Sequence, residues 1–136
     1  MVRVFLDANV LFSASNDRSS IARLIHLLAA QGKAITSDFA AEEARRNIFL
    51  KRQAWAKNLD TLLGQIQVVP SIQFNLPVAL CDKDQPILCT AIRSECQYLV
   101  TGDKQDFGHL YDHTVEGVTV ITLTKLAEVL LQARNR

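Results

Sequence analysis

The side chains best placed for chemistry in this sequence are four carboxylates, Asp7, Glu43, Asp84 and Asp103. Asp7 closes a short apolar run, and Asp103 follows another such run after a single glycine. If the two runs are neighbouring strands, both acids point into one crevice. Asp84 opens a helical stretch ahead of the second run, so the chain can return it to the same edge. Glu43 lies one turn inside a helix. At about 100° per residue it falls between Leu50 and Asn47, near Ala40 and Ala44, whereas Glu42 falls between Phe49 and Arg46 on a more polar side. Glu43 is therefore the better inward-facing acid. Carboxylates that converge cannot all stay ionised without a compensating charge. Hard divalent cations supply it, and all-oxygen ligands favour Mg²⁺ or Mn²⁺ over zinc. Such a centre polarises a phosphoryl oxygen and lowers the pKa of water, so phosphodiester hydrolysis is the expected reaction class. Singly, each acid has a plainer role as a strand end, a helix cap, a turn residue or a solvated helix residue. The four together carry the argument.

The elements that must position these acids follow from periodicity and caps. Residues 2–6 are β-prone and end at Asp7. Residues 19–31 place Ile21, Leu24, Ile25 and Leu28 at helical spacing, with Gly32 as the stop. Residues 34–36 form a second strand, and Ser37 caps a helix over 38–52. A helix over 54–63 ends near Gly64, a strand covers 65–69, and 70–83 is a connecting loop containing Pro70 and Pro77. Asp84 is expected to cap a helix reaching Cys96, with Pro86 tolerated in its first turn. Residues 98–101 form the fourth strand and 118–122 the fifth, after which Thr124 caps an amphipathic helix. Short apolar strands alternating with helices predict an α/β fold, a three-layer α/β/α sandwich around a parallel sheet. In such sheets ligands sit outside the carboxyl ends of strands where the order reverses. The acids occupy that place.

With 136 residues and 49% hydrophobic content the chain suits one domain, residues 1–136, that folds without disulfides or metals. Fifteen Lys and Arg against fourteen Asp and Glu give a net charge of +1, which excludes a polycationic nucleic-acid arm but not a local basic face. The start of the chain lacks a secretory pattern, and no stretch is apolar enough to span a membrane. Cys81, Cys89 and Cys96 lack C-x-x-C spacing and read as buried free thiols, so the cytoplasm is the expected compartment. A phosphoacceptor receiver domain shares this layout. It requires paired acids at the first strand and an Asp ending the third, where this chain has Val68-Val69-Pro70.

The same residues resemble the PIN-domain family of metal-dependent ribonucleases. Asp7-Ala8-Asn9-Val10-Leu11 matches its opening D-x-N-V-L, and residues 36–43 match the segment with Ser37 six residues before Glu43. Lys83-Asp84-Gln85-Pro86-Ile87-Leu88 followed by Ala91 resembles its third element. Leu99-Val100-Thr101-Gly102-Asp103-Lys104 followed by Phe107 resembles its fourth. The likeness runs from Val4 to about Ile121. It implies a sheet of order 3-2-1-4-5 and an acidic pocket for Mg²⁺ or Mn²⁺. Asp7, Glu43, Asp84 and Asp103 would be the catalytic acids, with Asp7, Asp84 and Asp103 holding the metal. Asn9, Thr101 and Ser13 would support the pocket. Relatives vary in which acid after the fourth strand takes part, which leaves Asp103 and Asp106 both open. The resemblance further implies cleavage of RNA, single-stranded by expectation, and a VapC-like toxin held by an antitoxin protein, often as a homodimer. A non-catalytic or occluded binding module is the alternative.

Arg45, Arg46, Lys51, Arg52 and Lys57 lie in a stretch with no acid between Glu43 and Asp60. Arg45 and Arg46 are the candidates for RNA phosphate contacts beside the pocket, against the plainer reading of a solvated helix face. His109 and His113 are four apart, but without an H-E-x-x-H pattern they read as surface residues.

Overall fold

The computed structural model describes residues 1–134. Its sheet is built from β1 (Arg3–Leu6), β2 (Lys33–Ser37), β3 (Gln67–Val69), β4 (Tyr98–Val100), β5 (Thr114–Val115) and β6 (Val118–Ile121). The helices are α1 (Ala8–Ala14), α2 (Ser20–Gln31), α3 (Asp38–Lys51), α4 (Ala56–Gln65), α5 (Gln85–Arg93), α6 (Lys104–Phe107) and α7 (Leu123–Arg134). The spatial order is β3-β2-β1-β4-β6-β5. All neighbours pair in parallel except β5 and β6. The strand expected as fifth is β6 and lies beside β4, as the predicted order requires. The added β5 extends the edge by a hairpin. Its turn residues Glu116 and Gly117 both have positive φ, the geometry a two-residue hairpin loop needs. Two residues are too few to show a strand period, so sequence reading passed over it.

Val4, Phe5 and Leu6 are fully buried, which means both faces of β1 are covered. That accounts for the unbroken apolar run Val4-Phe5-Leu6 where an alternating strand would leave a face in water. The order reverses between β1 and β4, so the crevice falls where these strands end. Main-chain bonds fix the register there: the Asp7 N–H donates to the Val100 carbonyl at 3.2 Å.

Several expectations need correction. Helix α1, absent from the sequence reading, starts at once after β1. It buries Ala8, Val10, Leu11 and Ala14, but at seven residues it is too short for periodicity to stand out. Helix α4 begins later than expected, after a 3₁₀ turn at Gln53–Trp55, and Gly64 lies inside its last turn. Helix α5 stops at Arg93 because Glu95 turns left-handed (φ 57°). Thr122, rather than Thr124, starts α7: its hydroxyl accepts the Lys125 N–H at 3.1 Å. Cys89 and Cys96 are buried as expected, but Cys81 is exposed. Trp55 packs beside the core with its ring 5.3 Å from that of Phe12.

Candidate metal centre at the ends of β1 and β4

Asp7 leaves β1 in extended conformation (φ −71°, ψ 162°) and caps α1, its Oδ1 accepting the Ala8 N–H at 2.7 Å. Its other oxygen accepts the Thr101 hydroxyl at 2.8 Å and the Asn9 amide at 3.4 Å. The side chain is 3% exposed. Burial pushes its pKa up to about 6; the bonds from Thr101 and Ala8 restrain the rise, while the charges of Asp84 and Glu43 add to it. The charges of Asp84 and Glu43, from distant parts of the chain, thus both act on this carboxylate. Glu43 is half-buried on α3 and Glu42 is exposed, as the helical wheel predicts.

Thr101 joins the two strand ends. Besides donating to Asp7, its oxygen accepts the Asp103 N–H at 3.1 Å and the Asn9 amide at 3.3 Å. Asn9 completes the clamp by accepting the Gly102 N–H at 2.9 Å. Asp103 is half-buried and caps α6, receiving the Asp106 N–H at 3.0 Å. Tyr111 donates its hydroxyl to the Thr101 carbonyl at 2.9 Å. Burial and the charges of Asp103 and Asp7 raise its pKa.

A second cluster faces this network. Asp84 is buried and, contrary to expectation, does not cap α5 with its side chain. Its Oδ2 instead accepts the Cys81 thiol at 2.7 Å. Burial raises the Asp84 pKa, and a hydrogen bond shared with Asp106 keeps it raised against the pull of Cys81 and Lys83. Asp106 moves the other way, held ionised chiefly by the Lys83 ammonium, which lies 3.1 Å from its Oδ2. Within the pair, Asp84 is thus the weaker acid and Asp106 the stronger. Hydrogen bonding to Asp84 pushes the Cys81 thiol up to about 11. Single ligand atoms of Cys81, Asp84 and Asp106 lie within 4.8 Å of one another, the one such grouping among the described residues, and it includes neither His109 nor His113.

The structure thus brings Asp7, Asn9, Thr101 and Asp103 into one hydrogen-bonded network, with Asp84 and Glu43 close enough to perturb Asp7. It adds Asp106 on the Asp84 side. Ser13 is half-buried, and among the described residues its hydroxyl joins no bond; its carbonyl serves Ser19 and Asn16 instead. Arg45 and Arg46 stand elsewhere. Arg45 pairs with Asp60, and both arginines line a groove of about 660 Å³ with the exposed Phe49 and Leu50. None of Asp7, Glu43, Asp84 or Asp103 lines that groove. Sequence reasoning missed Cys81, Lys83 and Tyr111. The turn that folds the Asp84 N–H onto the Cys81 carbonyl at 2.9 Å was the available signal for Cys81, three residues ahead of the acid.

The family model described as PIN domain matches residues 3–105. Among solved structures, VapBC2 from Rickettsia felis bound to a DNA fragment from their promoter is 16% identical, with a TM-score of 0.65 over 89% of this chain and 98% of that one. A PilT N-terminus domain protein from the hyperthermophilic archaeon Sulfolobus solfataricus is 15% identical, with a TM-score of 0.58 over 96% of this chain and 95% of that one. At these identities the likeness is one of fold. No curated protein matches the sequence.

Proposed function

The chain belongs to the PIN-domain family, and from that membership we propose that it is a divalent-metal-dependent endoribonuclease, the toxin partner of a toxin–antitoxin pair. The observation that carries the reading is the strain of excess negative charge in the crevice. Asp7 and Asp84, brought together from distant parts of the sequence, both have raised pKa values because burial and neighbouring acids leave their charges without a full counterion. A cation of charge two answers that deficit, and the carboxylate oxygens suit Mg²⁺ or Mn²⁺. The residues present fit the group.

In this reading Asp7, Asp84 and Asp103 hold the cation directly or through water, and Glu43 completes the acidic wall. Asp106 is the second candidate after β4, supported by its proximity to Asp84. When bound, the cation polarises a phosphoryl oxygen and makes water more acidic. The chain's own part is positioning. Thr101 and Asn9 fix the Asp7 carboxylate, and Tyr111 fixes the Thr101 main chain. Lys83 neutralises Asp106 at the rim.

The fold likeness to VapBC2 supports an antitoxin partner, and the exposed Phe49 and Leu50 support a contact with another chain, antitoxin or second copy. Among the described residues no helix is long and apolar enough to cross a membrane; the free thiols suit the cytoplasm, where we place the protein as a single domain. Purified protein with Mn²⁺ is expected to cleave single-stranded RNA, leaving a 5′-phosphate and a 3′-hydroxyl. Asp7→Asn should lower the rate by about a thousandfold or more, the value of several kcal/mol of charge stabilisation. Equal cleavage by the variant would assign the activity to a contaminant or another site.

A further inference from the structure

Resting on the metal-centre reading above, we infer that Cys81 is a specificity-determining residue of that centre: its thiol, with the carboxylates of Asp84 and Asp106, forms a mixed sulfur and oxygen donor set that takes a thiophilic divalent ion, Zn²⁺ above all. The three ligand atoms already lie within 4.8 Å of one another. Zinc bonds sulfur at about 2.3 Å and carboxylate oxygen at about 2.0 Å, so tetrahedral donors stand about 3.5 Å apart. The Cys81 Sγ and Asp84 Oδ2, now 2.7 Å apart, need only separate by under an ångström to admit the ion. Cys81 is exposed, so an ion reaches it from solvent.

The charge balance favours the exchange. Lys83 now neutralises Asp106 from a largely solvated position, and a cation entering between Asp84 and Asp106 replaces that ammonium, which returns to water. Coordination breaks the Cys81 S–H bond and forms a sulfur–metal bond, and the proton goes to solvent; no electron is transferred. Carboxylates alone leave hard Mg²⁺ and Mn²⁺ at home in the pocket. A thiolate ligand shifts the preference to softer ions. Zinc-class ions therefore compete with the activating cation, and they do so through one side chain at the rim.

The test compares wild type with Cys81→Ser, which keeps a hydroxyl able to bond Asp84. Comparing variants matters, because zinc outbinds manganese at most sites. Cd²⁺ titration of wild type should produce the ultraviolet charge-transfer band of a cadmium–thiolate bond at one equivalent. In Cys81→Ser the band should vanish and Zn²⁺ affinity should fall by about tenfold or more, while Mn²⁺ affinity, read by electron paramagnetic resonance, stays within about twofold. A band that persists in the variant, or an unchanged Zn²⁺ affinity, overturns the inference. Wild type that binds Mn²⁺ without a cadmium band also overturns it, and leaves the nuclease reading standing. Failure of wild type to bind any of these ions defeats both.

Discussion

At Asp7, stability opposes the metal-binding role proposed for it. Its pKa rises from 3.8 to about 6 on folding, so the native state keeps the proton over a window in which the unfolded chain has released it. The stability associated with that proton is complete below the unfolded value and is lost as the pH climbs through about 6. At neutral pH the ionised group costs about 3 kcal/mol, taking 1.36 kcal/mol per unit. Asp7→Asn is accordingly expected to fold more tightly at pH 7, by about 1–3 kcal/mol in denaturant titration, while losing Mn²⁺ binding. In the wild type, Mn²⁺ affinity measured across pH should decline as the pH falls through 6. Thr101→Val tests the same carboxylate from its partner. It removes the hydroxyl that restrains the Asp7 pKa and leaves the Asp103 N–H without its acceptor. Unfolding free energy should drop by about 1–3 kcal/mol, and the pH midpoint for Mn²⁺ binding should move upward. Thr101→Ser, which retains the oxygen, should restore both.

Among the elements, how easily a feature was read from sequence followed its length and the locality of its cause. Strand β1 and helix α2 declared themselves through uninterrupted apolar residues and a clean period. The Ser37 cap is confirmed by its bond from the Ala40 N–H at 3.0 Å, because a cap depends on residues adjacent in the chain. Helix α1 and strand β5 span too few repeats of their periods for a pattern to stand out. Asp84 looked like a cap because caps are local, but its side chain answers to Cys81 and Asp106, and Asp106 lies beyond an entire helix and strand. The network of Asp7, Asn9 and Thr101 was readable as residue types and not as bonds, since the main link spans 94 positions. Gly32 marked the end of α2, yet its deeper constraint is steric: a Cβ there would stand 2.6 Å from the Val2 carbonyl oxygen. Its φ of −147° is open to any residue, so contact rather than conformation demands the glycine. Gly32→Ala should cost about 1–3 kcal/mol in urea unfolding, with Gly64→Ala, which meets nothing within 4 Å, as the tolerant control.

At the scale of the whole molecule, near-neutral net charge leaves any attraction to RNA to local patches. Arg45 is engaged with Asp60, which leaves Arg46 as the freer test of the α3 face. If that face carries phosphate contacts, Arg46→Glu should weaken RNA affinity and flatten its dependence on salt concentration in filter binding. Identical affinity across the salt series would assign Arg46, with Phe49 and Leu50, to protein contacts alone. The reversal of strand order between β1 and β4 explains why one crevice collects acids from both halves of the sequence. It also has a temporal side. During synthesis Asp7 emerges well ahead of Thr101, which follows 94 positions later. A growing chain therefore carries the Asp7 carboxylate without the hydroxyl that restrains it, and the crevice takes shape only once β4 has emerged and paired with β1.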